Sequence, residues 1–189
     1  MLNLKETKVI EILKNGGVGV IPTDTIYGLV GSTFSRTAVE RIYKIKNRPD
    51  DSPFIILISS LKDLESFDIK INKEQAKILK KFWPGKVSII LSCKSAKYKY
   101  LHRGTKSLAF RFPNKKSLIE IIKKTGPLVA PSANLSDEKP AENIKEAKKY
   151  FGDNVDFYLA DGILKSNPST LIRLDKNSEI IVLRGNIKL

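Results

Sequence analysis

The sequence predicts an α/β domain on a mixed β-sheet, and three observations carry that reading. Helix-like and strand-like segments alternate early in the chain, strands dominate late, and several apolar runs have strand length rather than helix length. A purely parallel sheet would keep alternating to the end. The 189 residues, 41% of them hydrophobic, suffice for one domain over 1–189 with a core of its own.

The elements follow in order. Leu4 to Leu13 carries apolar residues at helical spacing (Leu4, Val9, Ile10, Ile12, Leu13), and Gly16-Gly17 stops it. Val18 to Ile21 is a β-branched run ended by Pro22, hence a strand. Thr33-Phe34-Ser35 precedes a helix from about Thr37 to Ile45, with Ala38, Val39, Ile42 and Ile45 on one side. Phe54 to Ile58 reads as a buried strand. Helical stretches follow at Leu61 to Phe67 and Lys73 to Phe82, the second closed by Trp83-Pro84-Gly85. Val87 to Leu91 and Leu108 to Phe112 read as strands, Lys115 to Lys124 as a helix, Leu128 to Ala130 as a short strand and Ala141 to Phe151 as a helix. Strands are expected last at Phe157 to Leu159, Ser169 to Leu174 and Ile180 to Leu183.

Composition narrows the chemistry. One cysteine excludes an intramolecular disulfide framework and points to a reducing, cytoplasmic setting. One cysteine and one histidine also exclude the usual zinc sites, which need about four such ligands. No apolar run approaches the roughly 20 residues that span a bilayer, so no membrane partner is expected. The net charge is +14, but 27 of the 34 basic residues are lysines scattered along the expected helices, as on a solvated surface. The 7 arginines are more informative, because a bidentate grip on phosphate or carboxylate favours arginine. Arg48, Arg111 and Arg184 fall at element ends beside proline or glycine.

Several familiar motifs are missing. There is no P-loop, and Pro22 stands where a dinucleotide fingerprint would need its third glycine. His102 lies in a Lys- and Tyr-rich stretch and reads as a surface residue. Cys93 reads as a half-buried, inert thiol. Four segments do stand out, each placing hydroxyls, amides or cations where a strand or helix ends: Pro22 to Leu29, Lys46 to Pro49, Pro131 to Asn134, and Pro168 to Thr170 with Arg184-Gly185 beyond it. In α/β sheets such strand ends form the ligand crevice. Pro49 pushes Arg48 out of the helical region, which lets Lys46 and Arg48 converge on one ligand.

These segments resemble the YrdC/Sua5 family, the threonylcarbamoyl-adenylate synthases of tRNA modification. The resemblance rests on P-T-D-T-x-Y-G-L at Pro22 to Leu29, K-x-R-P at Lys46 to Pro49, F-W-P-G at Phe82 to Gly85 and R-x-P at Arg111 to Pro113. It continues with P-S-A-N at Pro131 to Asn134, S-T at Ser169-Thr170 and L-R-G at Leu183 to Gly185, all in the family's order. It covers about Gly16 to Asn186 and is closest to the short form, without the extra C-terminal domain of the long one. It implies a twisted mixed sheet flanked by helices around a basic concave cavity. It also implies that L-threonine, bicarbonate and ATP give threonylcarbamoyl-AMP and pyrophosphate, with the product passed to a separate threonylcarbamoyl transferase complex for adenosine 37 of tRNA.

Carried over by motif, Lys46 and Arg48 are the catalytic candidates. Thr23, Thr25, Lys46, Arg111, Ala130 and Ser169 are expected to hold threonine or its carbamate. Arg48, Ser52, Ser107, Ser132, Asn134 and Arg184 are expected to hold ATP. Mg²⁺ is expected to arrive on the phosphates, with Asp24, Asp50 and Asp51 nearby and no carboxylate cluster to cage it. Many relatives carry asparagine and histidine where this chain has Ser52 and Leu57, and Ser-Gly where it has Ser136-Asp137. The basic stretch Lys94 to Lys106, with Tyr98, Tyr100, His102 and Arg103, suits weak RNA contact by charge and stacking, a flap over the triphosphate, or a solvated linker. A non-catalytic RNA-binding protein is the competing class. A carbamoyl-transferring domain of hydrogenase maturation is a third reading, but such domains belong to longer chains with acylphosphatase-like and zinc-finger parts.

Overall fold

A computed structural model describes residues 4–175 and 177–187. The helices are α1 (Leu4–Lys14), α2 (Arg36–Lys46), α3 (Lys73–Phe82), α4 (Lys99–His102), α5 (Lys116–Thr125) and α6 (Ile144–Phe151). The strands are β1 (Val18–Pro22), β2 (Tyr27–Ser32), β3 (Ile55–Leu57), β4 (Val87–Ser92), β5 (Ser107–Arg111), β6 (Leu128–Val129), β7 (Phe157–Tyr158), β8 (Thr170–Leu174) and β9 (Ile180–Arg184). Local chemistry sets the helix starts. The Ser35 hydroxyl accepts from Ala38 N at 3.2 Å, Asn72 and Gln75 form a reciprocal capping box, and Asn143 accepts from Glu146 N at 3.0 Å.

All nine strands join one sheet in the order β7-β1-β2-β6-β3-β5-β4-β8-β9. The β1–β7, β3–β5 and β4–β8 pairs are parallel and the rest antiparallel. The mixed sheet therefore agrees with the sequence. Period-two alternation divides the core in two. Val18, Val20, Leu29, Ile56, Phe110, Val129 and Ile172 face a large cluster completed by Ile42 of α2, Leu79 of α3 and Phe151 of α6. Ile21, Val30, Leu57 and Leu128 face the other way, against Val9, Ile10 and Leu13 of α1 and Leu118, Ile121 and Ile122 of α5. Each such fully buried side chain contributes about 1.5–3 kcal/mol.

Helices α1 and α5 cover that second face only over β1, β2, β6 and β3. The register carries the face onward: Ile55 pairs with Ala109, Ala109 with Ile90 and Ile90 with Arg173. Over β5, β4 and β8 those positions line a cavity instead of a helix interface.

Five local expectations need correction. Strand β2 is not among the expected elements, because Gly28 and Gly31 dilute its apolar pattern, yet it is buried throughout. At Gly31 an added Cβ would lie 3.1 Å from Ile42 Cδ1 and 3.2 Å from Ala38 Cβ, so glycine here lets α2 approach the strand closely. Leu61–Phe67 is a 3-10 run rather than an α-helix. His102 is buried, not on the surface, and its Nδ1 accepts from Gly104 N at 3.1 Å. Cys93 is fully buried, with its thiol directed at the Phe67 carbonyl at 3.5 Å, and burial pushes its pKa up. Within Lys94 to Lys106, Tyr98, Leu101 and His102 are core residues and the Tyr100 hydroxyl donates to Thr33 O at 2.7 Å. That stretch is neither a free flap nor a stacking platform. No helix among the described residues is long and apolar enough to cross a membrane.

Candidate active site

The cavity has a volume of about 450 Å³. Its floor is the uncovered sheet face, with Ile55 of β3, Ile90 of β4, Ala109 and Arg111 of β5, and Leu171 and Arg173 of β8. Its walls are chain corners. Thr23, Thr25, Arg48, Ser52, Ser107, Arg111, Ala130, Ser132, Ser169 and Arg184 all line it, so the structure gathers ten of the sequence-predicted site residues around one space. Lys46 and Asn134 are not among them.

The corner between β1 and β2 is self-bracing. The Thr23 hydroxyl donates to Ile26 O at 2.6 Å and accepts from Thr25 N at 3.1 Å, while the two threonine Oγ1 atoms lie 3.1 Å apart. These local bonds hold a turn that Pro22 begins. Arg111 ties the corner to β5: its Nη1 donates to Thr25 Oγ1 at 3.2 Å and its Nη2 lies 3.2 Å from Asp24 Oδ1. Asp24 Oδ2 also accepts from Asn114 N at 3.0 Å. Asp24 is therefore committed to this brace and is not a free ligand for a cation. Arg111 Nε is buried without a protein partner, at the edge of the cavity. Burial is the main influence pulling the Arg111 pKa down, opposed by Asp24 and reinforced by Arg184.

Across the cavity, Arg184 at the end of β9 donates through Nε and Nη2 to Ser169 O, at 3.3 and 3.0 Å. The Ser169 hydroxyl lies 2.8 Å from the Ser88 hydroxyl, both buried. Burial and the nearby Arg48 guanidinium lower the Arg184 pKa. Arg48 sits just past α2, its Nε donating to Ser52 O at 3.1 Å and its guanidinium 5.5 Å from the Phe54 ring centre. Ser107 faces Thr105 Oγ1 at 3.4 Å. At the third wall, Ala130 N donates to Ile55 O at 2.8 Å, Leu29 N donates to Pro131 O at 2.9 Å, and Ser132 bridges to Gly28.

The expected convergence of Lys46 and Arg48 on one ligand is not what the structure shows. Asn47 ends the helix in the left-handed region (φ 49°), accessible to asparagine. Arg48 reaches the cavity, whereas Lys46 is 1% exposed and points behind its wall. There the Lys46 ammonium donates to Ser132 O at 2.7 Å, Asn134 O at 2.5 Å and Asn134 Oδ1 at 3.4 Å. Asn134 is equally occupied, its amide nitrogen donating to Leu135 O at 2.7 Å and Glu138 O at 2.8 Å. Leu57 is buried in the cluster under α1 and α5, so it packs as core.

Sequence reasoning missed Arg173 and Thr105, which also line the cavity, as does Asp51, one of the three carboxylates expected near the phosphates. Period two was the usable signal for Arg173: Ser169, Leu171 and Arg173 alternate with the buried Ile172 and Leu174. Four of the 7 arginines thus surround the space, against Asp51 as its lining carboxylate among the described residues. Guanidinium groups and hydroxyls on opposed walls suit a small polyanion held beside a compact polar group.

Fold and cavity together define an α/β protein that closes chain corners over one bare half of a mixed sheet. The Sua5/YciO/YrdC family, described as telomere recombination, matches residues 11–185, and the chain belongs to that family. A threonylcarbamoyl-AMP synthase of Bacillus subtilis is 35% identical over 127 residues, covering 66% of this chain and 37% of that protein. A putative threonylcarbamoyl-AMP synthase of Methanocaldococcus jannaschii is 30% identical over 192 residues, covering 98% of this chain and 90% of that one. The crystal structure of Pyrococcus abyssi Sua5 complexed with L-threonine superposes with a TM-score of 0.87 at 28% identity, over 95% of this chain and 53% of that one. The chain thus spans only about half, or less, of the Pyrococcus and Bacillus proteins.

Proposed function

We propose that this chain is an L-threonylcarbamoyladenylate synthase, forming threonylcarbamoyl-AMP and pyrophosphate from L-threonine, bicarbonate and ATP. The observation that carries the reading is the convergence of Arg48, Arg111, Arg173 and Arg184 with the Thr23-Thr25 corner and Ser132 on one cavity. The amine of threonine and bicarbonate give a carbamate and water. A carbamate oxygen then bonds to the α-phosphorus of ATP as the bond from that phosphorus to the β-phosphate oxygen breaks, and pyrophosphate departs with the electron pair. Little covalent help from the protein is needed; placement and fixed charge carry the step.

The braced end, Thr23, Thr25, Arg111, Ala130 and Ser169, suits threonine and its carbamate. Arg111 offers an unpartnered Nε, and the hydroxyls suit an amino acid's polar groups. Arg48, Ser52, Ser107, Ser132 and Arg184 suit the nucleotide, with two guanidiniums near the accumulating phosphate charge. Lys46 and Asn134 act from behind the wall, through the segment they hold. Mg²⁺ enters as part of the ATP substrate, since no group of three or more metal-ligating side chains occurs among the described residues. The acyl-adenylate is then consumed by a threonylcarbamoyl transferase acting on tRNA, a reaction class of the cytoplasm. RNA binding without catalysis is disfavoured, because Tyr98 belongs to the core.

Mass detection of the acyl-adenylate after mixing protein, ATP, threonine and bicarbonate tests the reading. Product and pyrophosphate are expected only with all three substrates, and Arg48→Ala is expected to cut the rate about 10²-fold. ATP turnover that ignores omission of threonine or bicarbonate overturns it.

A further inference from the structure

Lys46 is the last residue of α2 and is almost wholly buried. Bringing an ammonium group into a protein interior is costly unless its protons are satisfied. Its three N–H donors face three oxygens of one segment: Ser132 O, Asn134 O and Asn134 Oδ1. The lysine's own carbonyl accepts from Ser136 N at 2.9 Å, so main chain and side chain grip the same stretch. That stretch has few other anchors to the rest of the fold: Ala133 N donates to Tyr27 O, Ala141 N to Ala133 O, and Ser132 bridges to Gly28. A lysine whose protons are all engaged has none to offer a ligand.

We propose that Lys46 is a positioning residue: it fixes the Ser132–Asn134 corner as a wall of the cavity and ties it to the neighbouring Arg48 wall, without touching substrate. Two walls that must hold one nucleotide are thereby joined through a single side chain, two residues before Arg48. The proposal rests on the synthase reading for its consequence, but its geometry stands apart from it. Burial first, and Arg48 second, lower the Lys46 pKa from 10.5 to about 7. Arg48, on its own segment, is the charged group that faces it; the opposing corner presents neutral oxygens. Because the folded value lies below the unfolded one, the native ammonium loses its proton as pH rises through about 7. The neutral amine keeps two donors for three acceptors, so the corner is held more loosely on the alkaline side.

Two measurements on the full chain decide the matter. Hydrogen exchange at Ala133 and Ser136 is expected to quicken about tenfold or more in Lys46→Met, while the amides of β1 and β2 stay protected. Unchanged exchange at those two amides overturns the proposal, as does global loss of protection in that variant while Lys46→Arg remains folded with full activity above pH 8 and no change at the corner. The second is a cycle of Lys46→Met, Ser132→Ala and the double variant, read as KM for ATP in the synthase assay. If Lys46 acts through Ser132, the double variant is no worse than the poorer single one. Effects that multiply mean an independent contact with substrate and overturn the proposal. A wild type that binds ATP but makes no acyl-adenylate overturns the synthase reading alone, leaving the exchange experiment to judge Lys46.

Discussion

One face of the sheet is finished in two ways. Over β1, β2, β6 and β3, Ile21, Val30, Leu57 and Leu128 meet the apolar faces of α1 and α5. Over β5, β4 and β8 no helix among the described residues covers it, and the same face carries Ala109, Arg111, Ile90, Leu171 and Arg173. Strand pairing runs from one half into the other, β3 bonding to β6 on one side and β5 on the other. The difference lies in what each strand offers at alternate positions: large aliphatic groups that draw a helix down, or small and cationic groups that leave room for a solute. The covered half is the stable frame, and the bare half is where ligand binding can be changed without dismantling it.

The contrast breaks most sharply at Leu118 of α5. Truncating it to alanine leaves a void between helix and sheet and is expected to cost about 2–5 kcal/mol of stability, with activity per folded molecule unchanged. Urea unfolding measures the first and active-site-normalised rates the second. A large loss of specific activity at unchanged stability would mean that the two halves do not divide the labour in this way.

That division explains which parts of the molecule were legible in the sequence. The helices and most strands announce themselves, because binary patterning and caps such as Asn72-Gln75 and Ser35 are local. Strand β2 escaped because its glycines answer to a partner, α2, that only the tertiary fold brings near. The gathered residues of the cavity were legible as separate corners, since prolines and hydroxyls mark strand ends. Lys46 was misplaced for the opposite reason: its neighbour Arg48 and the following proline are visible in sequence, whereas the carbonyls 86 and 88 residues away that receive its protons are not. His102 looked solvated because lysines and tyrosines surround it in the chain, yet α4 turns it into the interior.

A smaller effect belongs to Arg184, at the far wall of the bare half. Its protein contacts are two hydrogen bonds to one carbonyl, so the fold loses little when it is removed. A charge-assisted contact to phosphate is worth about 1.5–3 kcal/mol, so Arg184→Ala is expected to raise the KM for ATP about tenfold or more and leave that for threonine within about twofold. Initial rates with each substrate varied separately make the distinction. An equal rise for both would place Arg184 at the junction of the two ligands rather than on the nucleotide side.

The smallest expected effect tests how far the bare face reaches. Arg173 stands in register with Ile90 and Ala109, at the outer end of the floor, and no hydrogen bond or ion pair from its guanidinium occurs among the described residues. It is exposed, whereas Arg111 is buried, and unlike Arg184 it has no hydrogen-bonded protein partner among the described residues, so water and salt screen it. An exposed charge pair is worth about 0.2–1 kcal/mol, hence Arg173→Gln is expected to raise the KM for ATP about twofold to fivefold at low salt, with the difference vanishing as ionic strength rises. Stability should not move, because glutamine keeps the aliphatic stem over the strand. A loss as large as that of Arg184→Ala, persisting in high salt, would show that Arg173 is desolvated against the phosphates when ligand is bound, and the cavity would then have to close over a face that stands open here.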